Sequence, residues 1–154
     1  MPCSGTNRLY RLSNAKRRQD EVNPTVVYED DYGSMIDYPD NDYLEVRWYD
    51  GSSVLTTETF SQRQAVIADV VEQCGRSGML VDTLQLVMDP GEIDDDWRDA
   101  NVTPRFNAAG VRKLALLVPA AVPLVGAAPM HQGPAEYPTA FFASRTDARS
   151  WLES

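Results

Sequence analysis

The stretch Val102–Pro119, VTPRFNAAGVRKLALLVP, decides the fold. It has the shape of a helix that stops at a glycine, a basic pair, and then a buried strand. Gly110 suits the left-handed residue that ends a helix. Arg112 and Lys113 flank the turn, and Leu114–Val118 is the continuous apolar run expected of a strand covered on both faces. Pro104 divides the upstream pattern, because proline removes a backbone donor and clashes with the preceding turn. The spacing of Ile93, Trp97 and Ala108 therefore predicts a kinked or split helix over 93–109.

Working outward, Ala140–Leu152 reads AFFASRTDARSWL, a short apolar strand followed by a brief helix. Ser144 is its cap, with Asp147 at the third helical position. Between the two runs, Pro119–Pro138 carries five prolines and is expected to be loop, with one helical turn around Val125–Met130. Upstream, Leu44, Val46 and Trp48 alternate with Tyr43, Glu45 and Arg47, the period of a half-buried strand. Thr25–Tyr28 and Tyr32–Tyr38 precede it as strand candidates. Thr57–Cys74 follows as an amphipathic helix, with Phe60, Gln64, Ile67, Val71 and Cys74 on one stripe. Thr56 is the expected N-cap and Gly75 the expected stop. Met79–Leu86 reads as the next buried strand. A helix joining two strands favours parallel pairing through a right-handed crossover.

At 154 residues the chain is long enough to bury a core without staples. Residues 1–24 read as a basic tail and 25–154 as a single domain. The first nineteen residues hold five basic and no acidic side chains, which leaves nine basic and 23 acidic residues for the rest, a charge of −14. Such an acidic body repels phosphate backbones and argues against nucleic-acid binding. The longest apolar candidate, Leu114–Pro129, is broken by three prolines and a glycine, so no membrane span is expected. No apolar stretch follows the N-terminal arginines, so a cytoplasmic location is the expectation. Cys3 and Cys74 are too few and too far apart for a disulfide framework, and Cys74 reads as a small buried hydrophobe.

The order of these pieces resembles the STAS/SpoIIAA-like superfamily, and within it the small bacterial STAS-like proteins without assigned function. LEVRW (Leu44–Trp48), TTETF (Thr56–Phe60), MLVDT (Met79–Thr83), the P-x-F-x-x-x-G-V-x-K-x-A pattern of Pro104–Ala115 and the closing AFF…DARSWL carry the resemblance. It implies an α/β fold with a mixed sheet of four or five strands and helices mainly on one face. It also implies a regulatory role through protein–protein contact. Better-characterised members carry a phosphorylatable serine, in a D-S context, at the start of the helix after the third strand. The corresponding stretch, Asp82–Asp94 (DTLQLVMDPGEID), has no serine, and its only hydroxyl belongs to Thr83. Phosphate there would meet a crowd of carboxylates, so the phospho-switch is not carried over.

The remaining candidates for chemistry are sparse. Asp89, Glu92, Asp94, Asp95, Asp96 and Asp99 do not match a calcium loop, because the glycine precedes most of the carboxylates. They read as the acidic start of a helix. His131 is the only histidine, so one chain offers no multi-histidine metal site. No phosphate cradle or nucleophile elbow is present, and no catalytic residue, metal or cofactor is expected. Two surfaces remain. Tyr28, Tyr43 and Tyr49 are expected to face outward and form an interface with a protein partner or a second copy of the chain. Met130, His131 and Glu136 are expected to border a small-molecule pocket between the sheet and the proline-rich loop.

Overall fold

The computed structural model describes residues 24–50, 55–87 and 90–154. Among them a mixed sheet of seven strands runs in the order β1-β2-β3-β4-β5-β7-β6. The strands are β1 (Thr25–Asp30), β2 (Gly33–Tyr38), β3 (Tyr43–Trp48), β4 (Gly78–Asp82), β5 (Lys113–Leu117), β6 (Met130–His131) and β7 (Pro138–Phe142). The first three form an antiparallel meander, β3, β4, β5 and β7 are parallel neighbours, and β6 pairs antiparallel to β7. The helices are α1 (Thr57–Cys74), α2 (Asp95–Asn101), α3 (Thr103–Ala109) and α4 (Arg145–Glu153). The α/β class and the mixed sheet match expectation; the strand number is larger than the four or five expected. The proline-rich loop supplies β6 in place of a helical turn, and Val125 bridges to Phe141.

Local chemistry places the helices where the sequence puts them. The Thr56 side chain accepts from the Thr59 N–H, and Gly75 ends α1 at φ 67°. Val102 joins α2 to α3, with Pro104 in the first turn of α3 and Gly110 at φ 91° after it. Ser144 caps α4 by accepting from the Asp147 N–H. The predicted strand over 79–86 is shorter, because Asp82 turns back to accept from the Leu84 N–H and ends the ladder. Cys74 is buried, as expected. Cys3, like the other residues of the basic tail up to 23, lies outside the described residues.

Alternation in β3 divides the molecule into two layers. Leu44, Val46 and Trp48 join Met35 of β2, Met79 of β4 and the stripe of α1 in the larger core. Tyr43 packs on the opposite face with Leu80, Ala115, Leu117 and Ala148, against Trp151 and Leu152 of α4. Three of the four helices among the described residues therefore lie on the larger-core face, and α4 alone covers the other. Tyr43 is 0 % exposed, which removes it from any interface. Its ring stacks on Tyr38 at 4.5 Å, and burial pushes its phenol well above the usual range.

Charge fixes how α4 docks. Glu45 is fully buried and Asp82 nearly so. Arg145, the first residue of α4, donates to Glu45 Oε2 at 2.7 Å and also pairs with Asp82. Arg47 lies 2.9 Å from Glu45, and the Tyr38 hydroxyl donates to Glu45 Oε1 at 3.2 Å. Burial opposes the Arg145 charge, but the hydrogen bond to Glu45 and the charges of Glu45 and Asp82 outweigh it and hold the guanidinium above its ordinary value. At the far end of the helix the Lys113 ammonium donates to the Trp151 and Ser154 carbonyls, complementing the helix dipole.

On the other face, Asp37 and Arg76 form a bidentate pair at 2.7 and 2.9 Å. The Arg63 guanidinium lies between the Tyr28 and Trp48 rings with Asp30 at 3.2 Å, and burial lowers its pKa.

Arg145→Ala is expected to destabilise the fold by about 3 kcal/mol, at the low end for breaking a buried pair because Arg145 is one-third exposed. Arg112→Ala, an exposed arginine in the turn before β5, should stay within about 0.5 kcal/mol. Urea titration compares them, and equal losses would contradict the docking role of Arg145.

Candidate ligand cavity

A cavity of about 160 Å³ lies between the larger-core face of the sheet and the helical layer. Its origin is topological. Helix α1 covers the β3–β4 crossover and α2–α3 the β4–β5 crossover, but the β5–β7 crossover has no helix. The proline-rich segment closes that edge with loop backbone, which fills a layer less completely than a helix and its side chains. Val46, Val81, Leu114 and Leu116 form the sheet wall, with Phe60 and Ile67 of α1 opposite. Met79, Leu114 and Thr139 near the strand starts and Trp48 and Thr83 at or just past the strand ends all line it, so the cavity runs along the length of the parallel strands.

Polar groups gather at one end. Asp94 caps α2 by accepting from the Trp97 N–H, which orients Arg98 and Asp99 one turn on. Arg98 lies 3.1 Å from Asp95 and 3.5 Å from Asp99. Gly133 sits at φ 55°, in the left-handed region that favours glycine, with its Cα facing the Asp99 carboxylate. Asn107 of α3 ties down the next turn by donating to the Pro134 carbonyl at 3.1 Å and accepting from the Glu136 N–H at 2.9 Å. These ties deliver Tyr137 into the cavity wall, 4 % exposed, beside the Thr103 hydroxyl. Burial is the main cause that pushes the Tyr137 phenol up to about 12; the Arg98 charge and the Thr103 hydrogen bond pull weakly the other way. The hydroxyl is therefore a fixed donor at neutral pH.

The residues singled out from sequence fall near this cavity without lining it. Met130 and His131 form β6, opposite Thr139 and Pro138, and His131 is exposed. Glu136 is exposed and contributes its backbone N–H to Asn107. Their neighbours Gln132, Ala135 and Tyr137 are the lining residues. The cavity lies between the sheet and the helices, and the loop lines one edge of it through side chains one or two positions from those expected. Of the interface candidates, Tyr28 is half-buried over Arg63, and the Tyr49 hydroxyl donates to Glu29 at 2.5 Å. The acidic run is spent on helix starts. Glu92 accepts from the Thr57 N–H and hydroxyl, both at 2.8 Å, while Asp94 to Asp96 open α2. The Asp89 carboxylate lies outside the described residues.

Sequence reading missed Arg98, Thr103, Tyr137 and Thr139. One signal pointed to Tyr137: it is the only Phe, Trp or Tyr between Phe106 and Phe141, and a large ring in a proline-rich loop needs a place to go. Comparison with protein-family models, with curated proteins and with solved structures returns no match. Among the described residues no helix is long and apolar enough to cross a membrane.

Because the folded-state pKa of Tyr137 lies above the unfolded value of about 10, its contribution to stability is complete below pH 10 and is lost as pH rises toward 12. Tyr137→Phe should flatten part of that loss. Urea midpoints measured between pH 8 and 11.5 test this, and an unchanged slope would mean that Tyr137 is not buried as described.

Proposed function

We propose that this protein binds a small, largely apolar molecule in the cavity under α1, α3 and the 132–137 loop, and does no chemistry on it. The observation that carries the reading is a well-formed apolar cavity with a few convergent polar groups at one end. Among the described residues no nucleophile–base pair faces the cavity. Of the titratable groups that line it, Arg98 and Asp99 pair with each other, and Tyr137 keeps its proton far above neutral pH, unlike a general base tuned near 7.

A STAS-like regulatory role through a protein partner or a homodimer is the second reading. Its support is the order of sequence motifs, the α/β class with a mixed sheet, and the exposed Leu84 and Val87 after β4. Within this reading Tyr49 and part of Tyr28 remain as contact residues, and Tyr43 does not. A cytoplasmic location belongs to this reading too.

A thermal-shift screen of small metabolites tests the first reading. A ligand at 100 times its dissociation constant should add about 2.7 kcal/mol of stability. Val81→Phe, which grows into the cavity from the sheet wall, should abolish that gain while changing the ligand-free stability by about 1 kcal/mol or less. A gain that survives Val81→Phe would place the ligand elsewhere.

A further inference from the structure

We propose that the cavity is built for an uncharged, compact, single-ring molecule bearing one oxygen acceptor, which the Tyr137 hydroxyl receives. This rests on the ligand-binding reading above and specifies the ligand's size, charge and polar group.

Size follows from volume. At about 160 Å³ the space is close to the roughly 150 Å³ engineered cavity that takes up benzene, so one ring and a short substituent fill it. Trp48, Phe60 and Phe106 contribute ring faces and edges to the lining, a surface that suits another ring.

Charge follows from what the cavity already holds. The charged lining residues are Arg98 and Asp99, opposite in sign and 3.5 Å apart, and Arg98 is further answered by Asp95. A carboxylate ligand would need a free cation, and an ammonium a free carboxylate; both are already engaged. Burying a charge without a partner is far more costly than burying a neutral polar group. The chain's net charge of −9 adds a further barrier to anions.

The polar group follows from the hydroxyls. Thr103, Tyr137 and Thr139 are all at least 95 % buried, and all line the cavity. A phenol is the strongest neutral donor of the three, and Tyr137 remains protonated through the physiological range. Its neighbour Thr103 can serve as acceptor or donor, so the pair can satisfy a ligand oxygen without recruiting a charge. A ketone, aldehyde, ester or ether oxygen fits this arrangement; a plain hydrocarbon leaves buried hydroxyls facing an apolar surface.

Calorimetric titration at pH 7 with four probes of similar size separates the elements of this proposal: acetophenone, ethylbenzene, benzoate and benzylamine. Acetophenone should bind about tenfold more tightly than ethylbenzene, a gap of about 1.4 kcal/mol, and more tightly than either charged probe. Tyr137→Phe should bring the acetophenone-to-ethylbenzene ratio close to one. Thr103→Val should lower it about two- to threefold, the fraction expected when one of two hydroxyl partners is lost. Ethylbenzene binding as well as acetophenone, or a ratio unmoved by both substitutions, would overturn the acceptor assignment and leave the ligand-binding reading standing. A charged probe equal to or tighter than acetophenone would overturn the neutral assignment. Failure of all four probes to bind, with a metabolite hit abolished by Val81→Phe, would overturn this inference alone; without such a hit the ligand-binding reading falls with it.

Discussion

The structure depends on one buried carboxylate. Glu45 sits in the middle of β3 with no exposure, on the face opposite Leu44, Val46 and Trp48. A buried charge is tolerated only when paired and hydrogen-bonded. Arg145, Arg47 and Tyr38 meet that demand together, and Arg145 can do so only if α4 lies across the sheet. The second layer therefore follows from a charge requirement as much as from apolar burial. Because α4 covers that face, the other is free to carry α1, α2 and α3 and the space beneath them.

That division explains where a cavity can exist. The α4 face is sealed by Trp151, Leu152 and Phe142 over Tyr43, Leu80 and Leu117. The opposite face has two helical crossovers and then a third crossover made of loop. The loop is tied to α3 through the two hydrogen bonds of Asn107, to Pro134 and Glu136. Its prolines limit how it can collapse inward. The cavity is what remains between the sheet, helices α1, α2 and α3, and a loop wall that does not fill the corner.

Much of the fold was legible in the sequence because local chemistry and periodicity agree. Thr56, Gly75, Pro104, Gly110 and Ser144 each act within a few residues of where they stand, and each does what its chemistry suggests. Alternation in β3 was legible too, and it assigned Tyr43 to the correct face. What it could not say is that this face is covered, because the covering helix is 100 residues away. The same limit applies to Glu45, whose pairing with Arg145 spans that distance. The cavity was half legible. The proline-rich loop drew attention to the right segment, but side-chain direction in a loop has no period, so Met130, His131 and Glu136 were singled out and Gln132, Ala135 and Tyr137 line the wall. Arg98, Thr103 and Thr139 sit in regular elements where cavity-facing and core-facing positions look alike.

Methyl NMR of the full chain with acetophenone tests the central claim, that this cavity is the binding site, most directly. Ile67, Leu114 and Leu116 line the cavity, while Leu80 and Leu117 pack under α4. Saturable shifts confined to the first three, with the second pair unmoved, are the result the account requires. Shifts centred on Leu80 and Leu117, or none at any of the five, would contradict it.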